Sequence, residues 1–340
     1  MTKHPTQLTS AEIACIWTNY MQDSMSKCVL SYFLQTVEDE DIRPLIQWAY
    51  DISCTHIEEL TTLFQTEQIP LPTGFTDEDV NVNAPRLYTD AFMLNYLSHM
   101  TRVGMLGYSG FTSMGARKDL KTYFIKGLRE TSDLFDQSTD LLLEKGLYIR
   151  APSIPYPTQT DFVNSHKYLS GFSLLGKQRP LNAIEISHLY MNSITNHIGS
   201  KLSLSFAQTS PDEEVQNWML RGRDISRKHV RIFTRILLDS DIESPISPDV
   251  AITDATTPPF SDKLVMFHMG MLSATGTGNY ATAASASQRS DLIINYERLS
   301  LEVALYAKDG ADIMIRNQWM EQPPPTIDKE QLTNKKDTMK

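Results

Sequence analysis

Ile69–Tyr88, IPLPTGFTDEDVNVNAPRLY, is the stretch whose reading decides the fold. It carries three prolines and a crowd of turn formers, and it divides two long segments of helical pattern. At about 20 residues it far exceeds the roughly 2–8 that join neighbouring helices in a bundle. A link of that length lets the chain run along a bundle and re-enter from the far end.

The flanking sequence supplies the helices. The 17 prolines cluster, leaving long windows without any: 6–43, 45–69, 86–151, 181–210, 212–244 and 260–322. Proline breaks helix interiors, so these windows read as helical. Ile13, Ile16, Trp17 and Tyr20 recur at helical spacing, as do Leu45, Trp48, Ile52 and His56. Thr9 with Glu12 has the form of a capping box, and Asn182 with Glu185 matches it. Acidic residues at 38–41 and 212–214 mark where second helices start. The pattern predicts four helices over 9–35, 40–68, 87–113 and 116–147, and four more over 182–208, 212–240, 260–284 and 288–320. No run of alternating β-branched residues predicts a strand. The expected class is all-α. One long crossover per half, between the second and third helices, marks the ferritin-like four-helix bundle.

The second half repeats the first at a shift of about 172–173 residues. Asp51-Ile52-Ser53 with His56 meets Asp224-Ile225-Ser226 with His229. Tyr108 meets Tyr280, Arg117 meets Arg289, Asp119 meets Asp291, and Glu130 meets Glu302. Asp79-Val80 is matched to Asp249-Val250 across a small gap. The expected organisation is a first bundle over 1–150, a proline-rich linker over 151–180, a second bundle over 181–322, and a tail over 323–340 that frays at its end. One chain then imitates a dimer about an internal pseudo-twofold axis.

Several stretches resemble a known family: Ile69–Pro85 with the RLYTD that follows, KGLYIRAPSIPYP over 145–157, RPLNAIEI over 179–186, PFSDKL over 259–264 and WMEQPP over 319–324. They are similar to the tandem-repeat domain-of-unknown-function 3231 family of Bacillus and relatives. The resemblance implies ferritin-like bundles, a loose kinship with spore-coat proteins, and no assigned activity.

Composition narrows the function. The 340 residues carry 31 basic and 41 acidic side chains, a formal net charge of −10. That balance disfavours nucleic acid and anionic membrane surfaces as partners. No apolar run reaches the roughly 18–20 residues of a membrane span; the stretch 264–272 is too short and contains His268. The N-terminus lacks a secretory h-region. Cys15, Cys28 and Cys54 form no CxxC pair and suit a reducing compartment. The expected location is cytoplasmic, with spore association implied by the resemblance.

Chemistry is sparser. Di-metal carboxylate bundles need a Glu from each of two helices and Glu-x-x-His from each of the others. Neither half has that set. The first offers Asp23, His56, Glu59, Glu130 and Asp133; in the second, Asn196, Ile232 and Leu305 replace Asp23, Glu59 and Asp133. His56, Glu59 and Glu130 are the candidate metal ligands, for iron or manganese. The pair that recurs in both halves, His56 with Glu130, reads better as a buried hydrogen-bonded contact: an interior histidine held by Asp51, Ser53 or Glu130, with no cofactor. Gly104, Gly107 and Gly110 follow helical sequence, which disfavours a phosphate cradle and points to close helix packing. Arg117 and Arg289, with Asp119 and Asp291, frame the starts of the fourth helices as exposed bridges or caps. Asp90 and Asp262 fall near helix N-caps.

The leading expectation is a non-catalytic structural or interaction protein with protein partners. One rival is a degenerate metal-binding or oxidative protein whose partial site lies in the first bundle. A second is a binder of small apolar ligands in a Met- and Tyr-rich pocket between the bundles.

Overall fold

The computed structural model describes residues 6–171, 178–245, 251–329 and 332–333. Eight long α-helices form among them. The first repeat contributes α1 (Ser10–Thr36), α2 (Arg43–Thr66), α3 (Asp90–Met114) and α4 (Lys118–Glu144). The second contributes α5 (Ala183–Thr209), α6 (Glu213–Leu238), α7 (Asp262–Ala286) and α8 (Ser290–Arg316). Within each repeat, consecutive helices pair as hairpins, α1 with α2 and α3 with α4, α5 with α6 and α7 with α8. The hairpins then pack α1 on α3, α2 on α4, α5 on α7 and α6 on α8. The result is two four-helix bundles, each with the long crossover expected from Ile69–Tyr88.

Local chemistry sets the helix ends twice over. Thr9 and Asn182 close full capping boxes with Glu12 and Glu185. Each glutamate then reaches across the bundle. Glu12 Oε1 accepts from the Ala116 and Arg117 amides at 3.0 and 2.8 Å, and Glu185 Oε1 from those of Gln288 and Arg289 at 3.2 and 3.0 Å. Burial opposes the Glu12 charge, yet hydrogen bonds from Thr9, Arg117 and Ala116 lower its pKa to about 2. Arg117 and Arg289 are the N-cap residues of α4 and α8 and pair with Asp119 and Asp291; the first pair keeps an exposed Asp119, as expected, whereas the second is largely buried. α2 begins at Arg43 rather than 40, because Pro44 belongs in a first turn. Gln68, Asp241 and Gln318 adopt positive φ just beyond α2, α6 and α8. The following amide closes a six-residue loop in each case, Ile69 N to Phe64 O at 3.0 Å and Ile242 N to Leu237 O at 3.0 Å. Polar side chains at these αL positions left no glycine signal in the sequence. Thr89 and Ser261 cap α3 and α7, one residue before Asp90 and Asp262.

The crossovers meet at the pseudo-twofold axis. No strand forms among the described residues, but isolated antiparallel bridges pair Val80 with Phe260 and Tyr88 with Ile252. Asn81 N donates to Pro259 O at 2.8 Å, and Thr253 N to Leu87 O at 2.9 Å. Each pair maps onto the other by a shift of 172 (80 to 252, 88 to 260). This register makes Ile252 the counterpart of Val80. The match of Asp79-Val80 to Asp249-Val250 falls outside the described residues on its second member. On the same axis the Tyr96 hydroxyl lies 3.2 Å from His268 Nε2, and these two positions are also 172 apart.

Each repeat keeps a distal core of its own, around Ile16, Leu60 and Phe124 in the first and Leu189, Phe233 and Tyr296 in the second. Nearer the axis the two interiors merge into one buried cluster that includes Phe33, Tyr88, Phe206 and Leu264. The connection between repeats runs outside it, with Tyr156 and Phe162 of its proline-rich part 94% and 88% exposed.

Candidate functional site

All four helices of the first bundle contribute to one polar network, with His56 at its centre. α2 turns His56 inward, where it is buried. Its ring nitrogens face opposite ways. Nε2 lies 2.9 Å from Glu130 Oε2 on α4. Nδ1 lies 2.8 Å from the Tyr108 hydroxyl on α3 and 3.3 Å from Asp23 Oδ2 on α1. Asn19, one turn before Asp23, donates from Nδ2 to Asp23 Oδ2 at 2.7 Å and to the Tyr108 oxygen at 3.1 Å. Its Oδ1 accepts from the Tyr123 hydroxyl at 2.9 Å.

This arrangement satisfies the imidazole in either protonation state. The neutral ring donates from Nε2 to Glu130 and accepts from Tyr108; the protonated ring adds an Nδ1–H that faces Asp23. Burial disfavours the charged ring, but Asp23 and Glu130 outweigh it and raise the His56 pKa above its ordinary value. Burial pushes the Asp23 carboxyl up, against hydrogen bonds from His56 and Asn19. Burial, with the Asp23 charge beside it, holds Tyr108 neutral.

The expected ligand set of His56, Glu59 and Glu130 is not assembled. Glu59 points away along α2 and pairs with Lys126 Nζ at 2.7 Å on the half-exposed flank. Asp133 is exposed. Asp23 and Glu130 do reach His56, but at opposite edges of the ring, so the donors do not converge on one point. Among the described residues no group of three or more His, Cys, Asp or Glu side chains is placed to hold a metal ion. Of the partners expected for an interior His56, Glu130 is present. Asp51 instead accepts from Gln47 at the surface.

Beside the network opens a cavity of about 420 Å³. α1 to α4 form most of its wall, and α7 of the other repeat closes it with Met271, Thr275, Gly278 and Asn279. Met25, Met100, Tyr96 and Tyr108 line it, as do Asn19, Asp23 and His56. Gly278 faces open space here, and a Cβ at Gly107 would meet only Phe111, at 3.9 Å. Gly104 alone among the α3 glycines packs closely, since a Cβ there would lie 2.9 Å from Thr131. The glycines expected only to bring helices together therefore also leave room between the repeats.

A family model described as a protein of unknown function (DUF3231) matches residues 1–159 and 170–332. The chain belongs to the DUF3231 family. Among solved structures, that of a "putative spore coat protein" from Bacillus halodurans aligns over 46% of this chain and 98% of its own, at 19% identity and a TM-score of 0.38. No curated protein matches.

The two DUF3231 repeats share the His–Tyr–Glu centre of this network, but Asn196 replaces Asp23 and Asn295 replaces Tyr123 around it. His229 Nδ1 lies 2.8 Å from the Tyr280 hydroxyl and Nε2 lies 3.0 Å from Glu302 Oε2. Asn196 stands where the first repeat has Asp23, and donates to the Tyr280 oxygen at 2.8 Å. Burial lowers the His229 pKa, and Lys228 and Arg298 add to that against the pull of Glu302. The cavities diverge as well. The second repeat's equivalent, lined almost position for position, holds only about 60 Å³. Tyr306 replaces Leu134 and stacks on Trp218, with ring centroids 4.2 Å apart. Trp218 stands where the first repeat has Leu45. Gly222 and Gly310 make room for these rings: a Cβ at either would lie 2.3 Å from Tyr306 or Trp218. Asn19, Tyr108 and Tyr123 join the network without being among the candidates that the sequence offers, and of the three Tyr108 alone carries a signal there. Its signal was the match with Tyr280 in the same register as the Glu130–Glu302 match.

Proposed function

We propose that this DUF3231 protein is a non-catalytic binding protein that holds a small, largely apolar molecule between its two repeats. The observation that carries this reading is the pair of cavities. Two copies of one architecture line equivalent spaces, one narrowed to about 60 Å³ with Tyr306 in its wall, the other left at about 420 Å³ with Leu134 there. A volume of that size lies within the roughly 300–1,000 Å³ of small-molecule sites. The space opens to solvent, so a small molecule can enter it, and its size beside a much smaller twin favours an occupant. Asn19, Asp23, His56 and Tyr108 satisfy one another, which suits a wall that orients a ligand.

Thermal unfolding with 1-hexanol tests the reading. The melting temperature of the wild type is expected to rise with 1-hexanol concentration. Gly107→Leu, whose side chain would enter the cavity, is expected to abolish the rise. No rise in the wild type, or an equal rise in the variant, refutes the proposal.

The location proposed, the cytoplasm or coat of a spore-forming bacterium, rests on the family resemblance. Fractionation of sporulating cells into cytosol, membrane and coat extracts tests it, and recovery in the membrane fraction would overturn it.

A further inference from the structure

The chemistry of the cavity wall says more than its size. The apolar part of the wall comes from Met25, Val29, Leu30, Leu97, Met100 and Met271. Among the described residues no lysine or arginine lines it, and Asp23 is its one acidic side chain. Asp23 is mostly buried yet retains some side-chain exposure where it borders the cavity. His56 is the cavity's one basic side chain, and both its ring nitrogens are engaged by the network. An anionic ligand would therefore meet a carboxylate and no free cation. A wholly apolar ligand would displace solvent from the exposed edge of the Asp23 carboxylate and offer it nothing beyond the Asn19 and His56 contacts it already has.

We propose that the cavity between the repeats is a site for a protonated amine with an apolar body, its ammonium group seated on Asp23 and its hydrocarbon against the methionine-lined wall. This deepens the proposed function and rests on it. An ammonium donates up to three hydrogen bonds, and Asp23, bonded to Asn19 and 3.3 Å from His56, is the carboxylate on the cavity wall that can accept one of them. A bare metal ion fits the same place poorly, since it needs several converging charged donors and Glu130 lies across the imidazole ring. Asp23 has no counterpart in the second repeat, where Asn196 occupies the position and the space is narrowed. Carboxylate and wide cavity therefore occur together in one repeat and are absent together in the other.

Calorimetric titration of the full chain at pH 7 with hexylamine, 1-hexanol and hexanoate separates the possibilities. Hexylamine is expected to bind most tightly and hexanoate least. Asp23→Asn should weaken hexylamine by about tenfold or more, the loss of one charge-assisted hydrogen bond, and leave 1-hexanol nearly unchanged. Asn at the equivalent position of the second repeat shows that the fold accommodates this residue. Asp23→Glu, which keeps the charge, should retain the preference for the amine. If 1-hexanol binds as tightly as hexylamine, or Asp23→Asn leaves the amine preference intact, the amine inference fails while the cavity reading stands. If none of the three binds, or Gly107→Leu binds all of them as well as the wild type does, both fail.

Discussion

Replacing Asp23 by Asn converts the first network into the second in its one acidic difference, and the consequence falls on His56. The Asp23 carboxylate lies 3.3 Å from His56 Nδ1. At an effective dielectric of about 20, a full charge at that range is worth about 5 kcal/mol, an upper bound. The carboxyl is itself pushed toward its neutral form by burial, so only part of that acts on the ring. A charged neighbour at this distance typically moves a pKa by about 1–3 units. Asp23→Asn should lower the His56 pKa by that amount, from above its ordinary value to below it, as at His229. The groups facing the ring are Asp23 from α1, Tyr108 from α3, and Tyr123 and Glu130 from α4, with Lys126 behind Glu130. Only the first of these changes. Long-range ¹H–¹⁵N NMR across pH 4–9 reads the two ring nitrogens directly. The linkage has a definite sign. In the wild type His56 and Asp23 both have raised folded pKa values, so the stability they contribute is complete below their unfolded values and is lost as pH rises through the folded ones. Asp23→Asn should abolish that decline and replace it with a rise in stability as pH increases from the lowered folded His56 pKa to the unfolded one. An unchanged or higher His56 pKa in the variant would falsify the assignment of Asp23 as the group that sets it.

Three further outcomes are expected. Glu12→Gln should cost about 2–3 kcal/mol in denaturant unfolding at pH 7, because the Ala116 and Arg117 amides lose a charged acceptor. Its pKa is depressed, so this contribution is present above pH 4.5 and fades toward about 2, and the gap to the wild type should close in acid. Gly127→Ala places a Cβ 2.5 Å from the Tyr108 ring and should destabilise by about 1–3 kcal/mol and shift the His56 resonances, whereas Gly107→Ala, 3.9 Å from Phe111, should be neutral or stabilising by up to about 1 kcal/mol. Equal unfolding midpoints for these two variants would contradict the packing described. Tyr306→Leu should cost about 2–4 kcal/mol and open the second cavity, and a crystal structure showing that space still closed would reject Tyr306 as its filler.

The helices and their ends were largely legible because they follow from local chemistry. Proline positions bounded them, and Thr9–Glu12 and Asn182–Glu185 closed as capping boxes. Pro44 moved the start of α2 by a few residues, since a ring that clashes in a helix interior fits its first turn. The candidate site was half legible. His56 and Glu130 stood out because both recur in the repeat, and they do meet. Glu59 was drawn in by its spacing from His56, yet side-chain direction sent it to Lys126. Tyr108 went unread because a hydroxyl on α3 meets an imidazole on α2 only after both have packed against α1 and α4.

By itself the sequence determined what depends on near neighbours along the chain: all-helical elements, their caps, the long crossover, and the duplication visible at a shift of 172–173 residues. Tertiary structure alone decided what depends on volume and on distances across the chain. The register of the crossover bridges, the merging of two interiors into one core, and the open cavity opposite its narrowed twin are of this kind. Leu134 and Tyr306 are both ordinary core residues when read along the chain. Only the placing of the Tyr306 ring over Gly222 and against Trp218 narrows one space where Leu134 leaves the other open, because an interior is filled by shape and not by pattern.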